Sequence, residues 1–161
     1  MKRIVIAMTG ASGSIYGIDL LKKLKTMLEV ESWLVMSDWA RKNIEIETDY
    51  TVKQVEDLAD HVADNGNLGA AISSGSFQVD GMVVAPASMK TVAGIAFGFD
   101  QDLIMRASGV MIKEQRKLIL MPRETPLSAI HLENLLKLAR LGVQIMPPIP
   151  SFYGRPETIQ D

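Results

Sequence analysis

Short loops of this sequence concentrate the residue types that hold anions. Thr9-Gly10-Ala11-Ser12-Gly13 brings two hydroxyls and a glycine-rich backbone directly after an apolar run and before a helical pattern. Free N–H groups at the start of that helix, with its dipole, favour a phosphate, and the glycines let the backbone come close to one. Pro86-Ala87-Ser88-Met89-Lys90-Thr91 sets two hydroxyls beside a lysine, and Pro122-Arg123-Glu124-Thr125-Pro126 sets an arginine beside a glutamate between two prolines. Proline fixes the backbone on either side, which suits groups that must be held in position. Each loop also has a plain structural use: the first could pack a helix on a sheet, Ser88 or Thr91 could cap a helix, and the last could be a solvated turn.

Other charged and aromatic groups stand out less. Arg106 and Lys113 in LIMRASGVMIKE fall on one helical face about two turns apart. Glu47 lies where a helix should end before Thr51, and Ile149-Pro150-Ser151-Phe152-Tyr153 carries a phenol on a rigid turn. The chain has no cysteine, and its two histidines, His61 and His131, have no ligand-type neighbours at helical spacing. Disulfides, cysteine nucleophiles and thiolate or histidine metal sites are therefore not expected. With 17 basic and 19 acidic residues among 161, the formal charge of -2 offers no bulk attraction to nucleic acid. No signal peptide and no apolar span of membrane length is seen, so a soluble cytoplasmic protein is expected.

The elements that must position these loops alternate. Strands are expected at residues 4–8, 33–36, 82–85, 118–121 and 143–146, the third ended by Pro86. Helical patterns occupy the intervals: Ile15, Ile18, Leu21 and Leu24 at helical spacing, then residues 39–46, 51–58 with Thr51 as cap, 91–97, 102–114 and 128–141. Residues 60–69 are polar and contain glycine, which reads as a surface loop. Such alternation argues one α/β domain, a Rossmann-like three-layer αβα sandwich with a mostly parallel sheet. Ligands then bind beyond the carboxyl ends of the strands, which selects residues 9–13, 37–39, 86–91, 122–126 and 147–153.

In order along the chain, Thr9-Gly10-Ala11-Ser12-Gly13, Glu47-Thr48-Asp49, Ser74-Gly75-Ser76-Phe77, Pro86-Ala87-Ser88-Met89-Lys90-Thr91, Arg106 with Lys113, Pro122-Arg123-Glu124-Thr125-Pro126, His131-Leu132-Glu133-Asn134 and Pro147-Pro148-Ile149-Pro150-Ser151-Phe152-Tyr153 resemble the UbiX/Pad-type flavin prenyltransferases, over essentially the whole sequence. The resemblance implies a flavoprotein fold and an enzyme that alkylates reduced FMN with dimethylallyl monophosphate, without a metal. The product is the prenylated flavin that a separate UbiD-type aromatic-acid decarboxylase uses. By position, it implies that Gly10, Ala11, Ser12, Ser37, Ser88, Met89, Lys90, Thr91 and Arg123 contact FMN. Lys113, Glu124 and Tyr153 resemble the groups around the prenyl phosphate, and Glu47 and Arg106 further active-site residues supplied across subunits of a dodecamer.

The implied chemistry suits this inventory. Breaking the allylic carbon–oxygen bond leaves a phosphate whose growing charge Lys, Arg and Tyr donors stabilise. Flavin N5 forms the first bond and C6 the second, and the proton lost from C6 could go to Glu124, Ser12 or the departing phosphate. Two departures bear on the carry-over. Asp38 puts an anion beside Ser37. The family's last helix, with a further basic phosphate ligand, is expected to be missing from a single domain spanning residues 1–161, which would impair prenyl phosphate binding while leaving the FMN site intact. A non-catalytic FMN-binding assembly subunit is then an alternative. A flavin-dependent cysteine decarboxylase is another, although its Ala-Asn-Thr version of the third loop differs from Ser88-Met89-Lys90-Thr91.

Overall fold

Strand β1 (Lys2–Met8) lies inside a six-stranded sheet with β2 (Val30–Met36), β3 (His61–Asp64), β4 (Gly81–Ala87), β5 (Lys117–Pro122) and β6 (Gln144–Ile145), in the order β3-β2-β1-β4-β5-β6. These elements come from a computed structural model describing residues 1–149, 155, 157 and 158. Every strand pairing among the described residues is parallel. Parallel neighbours need crossovers, and helices provide them. Helices α1 (Ser14–Lys25), α2 (Asp38–Glu47) and α3 (Val52–Glu56) precede β4, while α4 (Met89–Ala96), α5 (Leu103–Lys113) and α6 (Ala129–Arg140) follow it.

Successive strand residues point to opposite faces, and both faces are covered, so the strands read as continuous apolar runs. Ile6, Met8, Leu34 and Met36 bury against Ile18, Leu21, Ile44 and Val55 of α1, α2 and α3. Val5, Ala7, Val35, Met82 and Val84 face the other way, onto Val92, Leu103, Met111 and Leu138 of α4, α5 and α6. This is the expected three-layer sandwich. Among the described residues no helix is long and apolar enough to cross a membrane.

Two local expectations differ from the structure. Residues 60–69 are not wholly loop: β3 pairs with β2 from Trp33↔His61 to Met36↔Asp64. Ala63 is its one buried residue, so this edge strand lacks the apolar run that marks the others. Contacts distant in sequence hold it instead. His61 stacks on Trp33 with ring centroids 4.4 Å apart, and Asp60 accepts from the Ser32 N–H and hydroxyl at 2.7 and 2.8 Å. Strand β4 also continues through Pro86, where its register with β5 shifts between Val84 and Ala87. A proline, with no N–H to give the ladder, is tolerated at such an irregularity.

Helix starts follow local side-chain chemistry. Thr51 and Ser128 make capping boxes with Gln54 and His131, and Ser37, Ser88 and Asp102 accept from Ala40, Thr91 and Met105 N–H groups. Helix α1 instead begins after Gly13, whose φ of 112° suits glycine. It lies so close to the sheet that a Cβ on Gly17 would sit 2.5 Å from the Ala85 carbonyl oxygen and 3.0 Å from the Met8 side chain. Helix propensity alone would favour alanine there by about 1 kcal/mol. The clash with a strand backbone reverses the sign, so Gly17→Ala should cost about 2 kcal/mol in urea unfolding, at an unchanged m-value. A stabilised variant would contradict this packing.

Candidate functional site

The strand order reverses at β1, between β2 and β4, and a crevice opens beyond the carboxyl ends there. Its rim is stitched strand to strand: Ser37 N–H donates to Met8 C=O at 3.0 Å, Thr9 N–H to Pro86 C=O at 3.1 Å, and Arg123 N–H to Ala87 C=O at 3.3 Å. The loops carrying Gly10, Ser37, Ser88 and Arg123 are thereby brought side by side.

The loop at residues 9–13 is held differently from the phosphate cradle its sequence suggests. Thr9 is buried, and its hydroxyl is occupied within the protein, donating to Pro86 C=O at 2.8 Å and accepting from Ser88 N–H at 2.7 Å. The N–H groups of Gly13 and Ser14 are not free for a ligand either. Both donate to Glu47 Oε2, at 3.0 and 3.1 Å. One turn earlier on the same face of α2, Asn43 donates to the Ala11 carbonyl at 3.3 Å. Burial pushes the Glu47 carboxyl up, but the Gly13 and Ser14 N–H groups, with the Ser12 hydroxyl, outweigh it and hold its pKa below the ordinary value. At neutral pH this anion occupies the positive end of α1.

Two clefts flank the loop. One, of about 640 Å³, is lined by Ser12, Gly13, Ile15, Tyr16, Glu47 and Arg123 among others. The other, of about 740 Å³, runs from Gly10, Ser37 and Trp39 past Ser88, Lys90 and Thr91 to Asp102 and Met105. Ser88 and Thr91 hydroxyls lie 3.0 Å apart in it, while Lys90 is exposed. Both volumes are in the range of small-molecule sites.

The candidate residues thus divide. Ser12, Glu47 and Arg123 face one cleft, and Gly10, Ser37, Ser88, Lys90 and Thr91 the other. Ala11 is buried within the loop, and Met89 packs on the core. Glu124 is exposed and accepts from Thr125 N–H at 3.1 Å. Arg106 and Lys113 line neither cleft: Arg106 donates to Ser73 C=O at 3.1 Å and pairs with Asp100 at 3.0 Å, and Lys113 pairs with Glu114. Tyr153 lies outside the described residues. Sequence reasoning missed Tyr16 and Tyr50 on the first cleft and Asp64, Asn65 and Gly66 on the second. The last three end and follow β3, and the Asn65-Gly66 turn was the signal available. Asn65 reaches across to cap α5, its C=O and Oδ1 accepting from Leu103 and Ile104 N–H at 2.9 and 3.1 Å.

Residues 1–159 match the Flavoprotein family model. Flavin prenyltransferase LpdB of Lactiplantibacillus plantarum is 64% identical over 161 residues, all of this chain and 86% of the relative. The chain belongs to the UbiX-like flavin prenyltransferase family. Crystal structures of family members superpose throughout. AnUbiX in complex with FMN and dimethylallyl pyrophosphate has a TM-score of 0.96 at 52% identity, covering 99% of this chain and 84% of that one. A dodecameric FMN-dependent Ubix-like decarboxylase from Escherichia coli O157:H7 has a TM-score of 0.96 at 51% identity, covering 98% and 85%.

In this prenyltransferase-family chain, the depressed Glu47 pKa has a definite stability signature. A carboxyl whose folded pKa lies below its unfolded one contributes stability above the unfolded value, and loses it as pH falls through the folded value. Glu47→Gln should therefore lower stability at neutral pH and flatten the loss on acidification below the ordinary glutamate range. Urea titrations across that range would show it, and parallel curves for the two proteins would exclude the ion–helix contact.

Proposed function

We propose that the chain is a flavin prenyltransferase, transferring a dimethylallyl group from dimethylallyl monophosphate to N5 and C6 of reduced FMN. The observation that carries this reading is the convergence of Ser12, Arg123, Ser37, Ser88 and Lys90 on two adjoining clefts at the strand-order reversal, in a chain of this family.

The donor set fits a flavin mononucleotide. Hydroxyls of Ser37, Ser88 and Thr91, with Lys90, suit a phosphate, and two of the acids beside them are already engaged: Asp64 accepts from Gly66 N–H at 3.0 Å and Asp102 from Met105 N–H at 2.9 Å. Gly10, Ala11, Ser12, Met89 and Arg123 complete the contacts. Reduced flavin supplies the nucleophilic nitrogen and carbon when bound. Around them, Lys113, Arg106 and Tyr153 would hold the prenyl phosphate as its charge grows, and Glu124, Ser12 or the departing phosphate would take the proton released at C6. Glu47, held ionised, acts by fixing the Ser12 loop.

Arg106 and Lys113 reach the site from another subunit of a homo-oligomer, a dodecamer like the E. coli O157:H7 relative. The exposed apolar side chains of Phe97, Phe99 and Ile130, at 72, 60 and 68%, support association. The enzyme works in the cytoplasm, and a UbiD-type decarboxylase receives its product.

Anaerobic incubation with reduced FMN and dimethylallyl monophosphate, and in parallel the pyrophosphate, should yield a flavin heavier by one C5 unit on mass spectrometry. FMN that binds but is never alkylated by either donor would refute the proposal. Glu124→Gln should leave FMN binding intact and slow product formation roughly 100-fold, the usual scale of general acid–base assistance. Unchanged turnover would remove Glu124 from the chemistry.

A further inference from the structure

We propose that Thr9 is a positioning residue of this site, its buried hydroxyl setting Ser88 and the start of α4 against the Gly10-Ala11-Ser12 loop. The claim rests on the flavin reading only for what fills the clefts.

The parallel ladder between β1 and β4 ends at Ala7↔Val84, and β4 becomes irregular between Val84 and Ala87. Beyond that point the strand ends carry the two cleft walls, Gly10 on one and Ser88 on the other. Regular pairing no longer joins them. The Thr9 side chain does: 2% exposed, it donates to Pro86 C=O at 2.8 Å and accepts from Ser88 N–H at 2.7 Å, while its own N–H reaches the same carbonyl at 3.1 Å. A hydroxyl that donates and accepts at once is polarised in both bonds, and the short distances accord with that. At the neighbouring junctions the corresponding links, Ser37 to Met8 and Arg123 to Ala87, are backbone to backbone and independent of side-chain identity. At the strand-order reversal, the Thr9 side chain adds two hydrogen bonds to the backbone link.

The order continues into the helix. Ser88, fixed through its N–H, caps α4 by accepting from Thr91 N–H at 3.3 Å, and its hydroxyl lies 3.0 Å from that of Thr91. Thr9→Val keeps the shape and the backbone bond to Pro86, yet leaves the Ser88 N–H without its acceptor. Thr9→Ser keeps the hydroxyl.

The test measures FMN affinity by quenching of flavin fluorescence, thermal midpoint, and amide hydrogen exchange at Ser88, for wild type and both variants. Thr9→Val should bind FMN roughly tenfold more weakly, as expected for one unsatisfied buried donor, and exchange the Ser88 amide faster. Thr9→Ser should restore both. A purely structural threonine would lower the thermal midpoint and leave FMN affinity unchanged, and that result overturns the proposal. An unprotected Ser88 amide in the wild-type protein overturns it too, without any variant needing to fold. If wild type binds no FMN, the proposed function fails, and the Ser88 exchange rates still decide the role of Thr9.

Discussion

Strand β1 pairs with β2 from Lys2↔Val30 to Met8↔Met36 and with β4 from Ile4↔Gly81 to Ala7↔Val84, so its backbone is committed on both sides. Its side chains are committed on both faces, Ile6 and Met8 to one helical layer and Val5 and Ala7 to the other. A strand fixed in four directions cannot slip by one residue without turning its whole apolar set around. Thr9 and Gly10 emerge from this fixed rod, and the neighbouring loops are referenced to it through Ser37, Pro86 and Ser88. The site inherits its precision from a strand held along both edges and on both faces.

Helix α2 supplies the second anchor. Residues Asn43 and Glu47, four apart, grip opposite ends of the Ala11 to Ser14 turn, one by donating and the other by accepting. A carboxylate at a helix N-terminus is stabilised by the dipole and by direct N–H bonds, which is why burial does not neutralise Glu47. The positive end of α1 is thus satisfied from within the chain. The Ser37, Ser88 and Thr91 side chains and Lys90 line the adjoining cleft instead.

Helix α5 carries its cations away from that crevice. It starts at the cleft with Asp102 and Met105 and ends at Lys113, while Arg106 and Arg116 clamp the segment between them. Arg106 holds Ser73 C=O, and Arg116 holds the Gly75 and Phe77 carbonyls at 2.7 and 3.0 Å. Ser74-Gly75-Ser76-Phe77 is therefore shaped by α5 and the turn that follows it. Arg106 and Lys113 line neither of the two clefts of their own chain.

Much of this was legible in the residue order, because the signals are local. Apolar runs ended by Gly, Ser or Pro mark β1, β2, β4 and β5, and Ser, Thr and Asp before periodic segments mark helix starts, so the alternating α/β plan and the loops at its carboxyl edge follow from short-range chemistry. Strand β3 was hidden because the partners that hold it and its flanking residues, Trp33 on His61, Ser32 on Asp60 and the α5 amides on Asn65, are remote in sequence. Likewise, no local pattern shows that the Thr9 hydroxyl serves Pro86 and Ser88, or that Glu47 claims the N–H groups that seemed open to phosphate. Residue order determined which groups stand at the carboxyl edge; tertiary structure decided which of them remain free for a ligand, since hydrogen-bond capacity is finite and its first claimants come from distant parts of the chain.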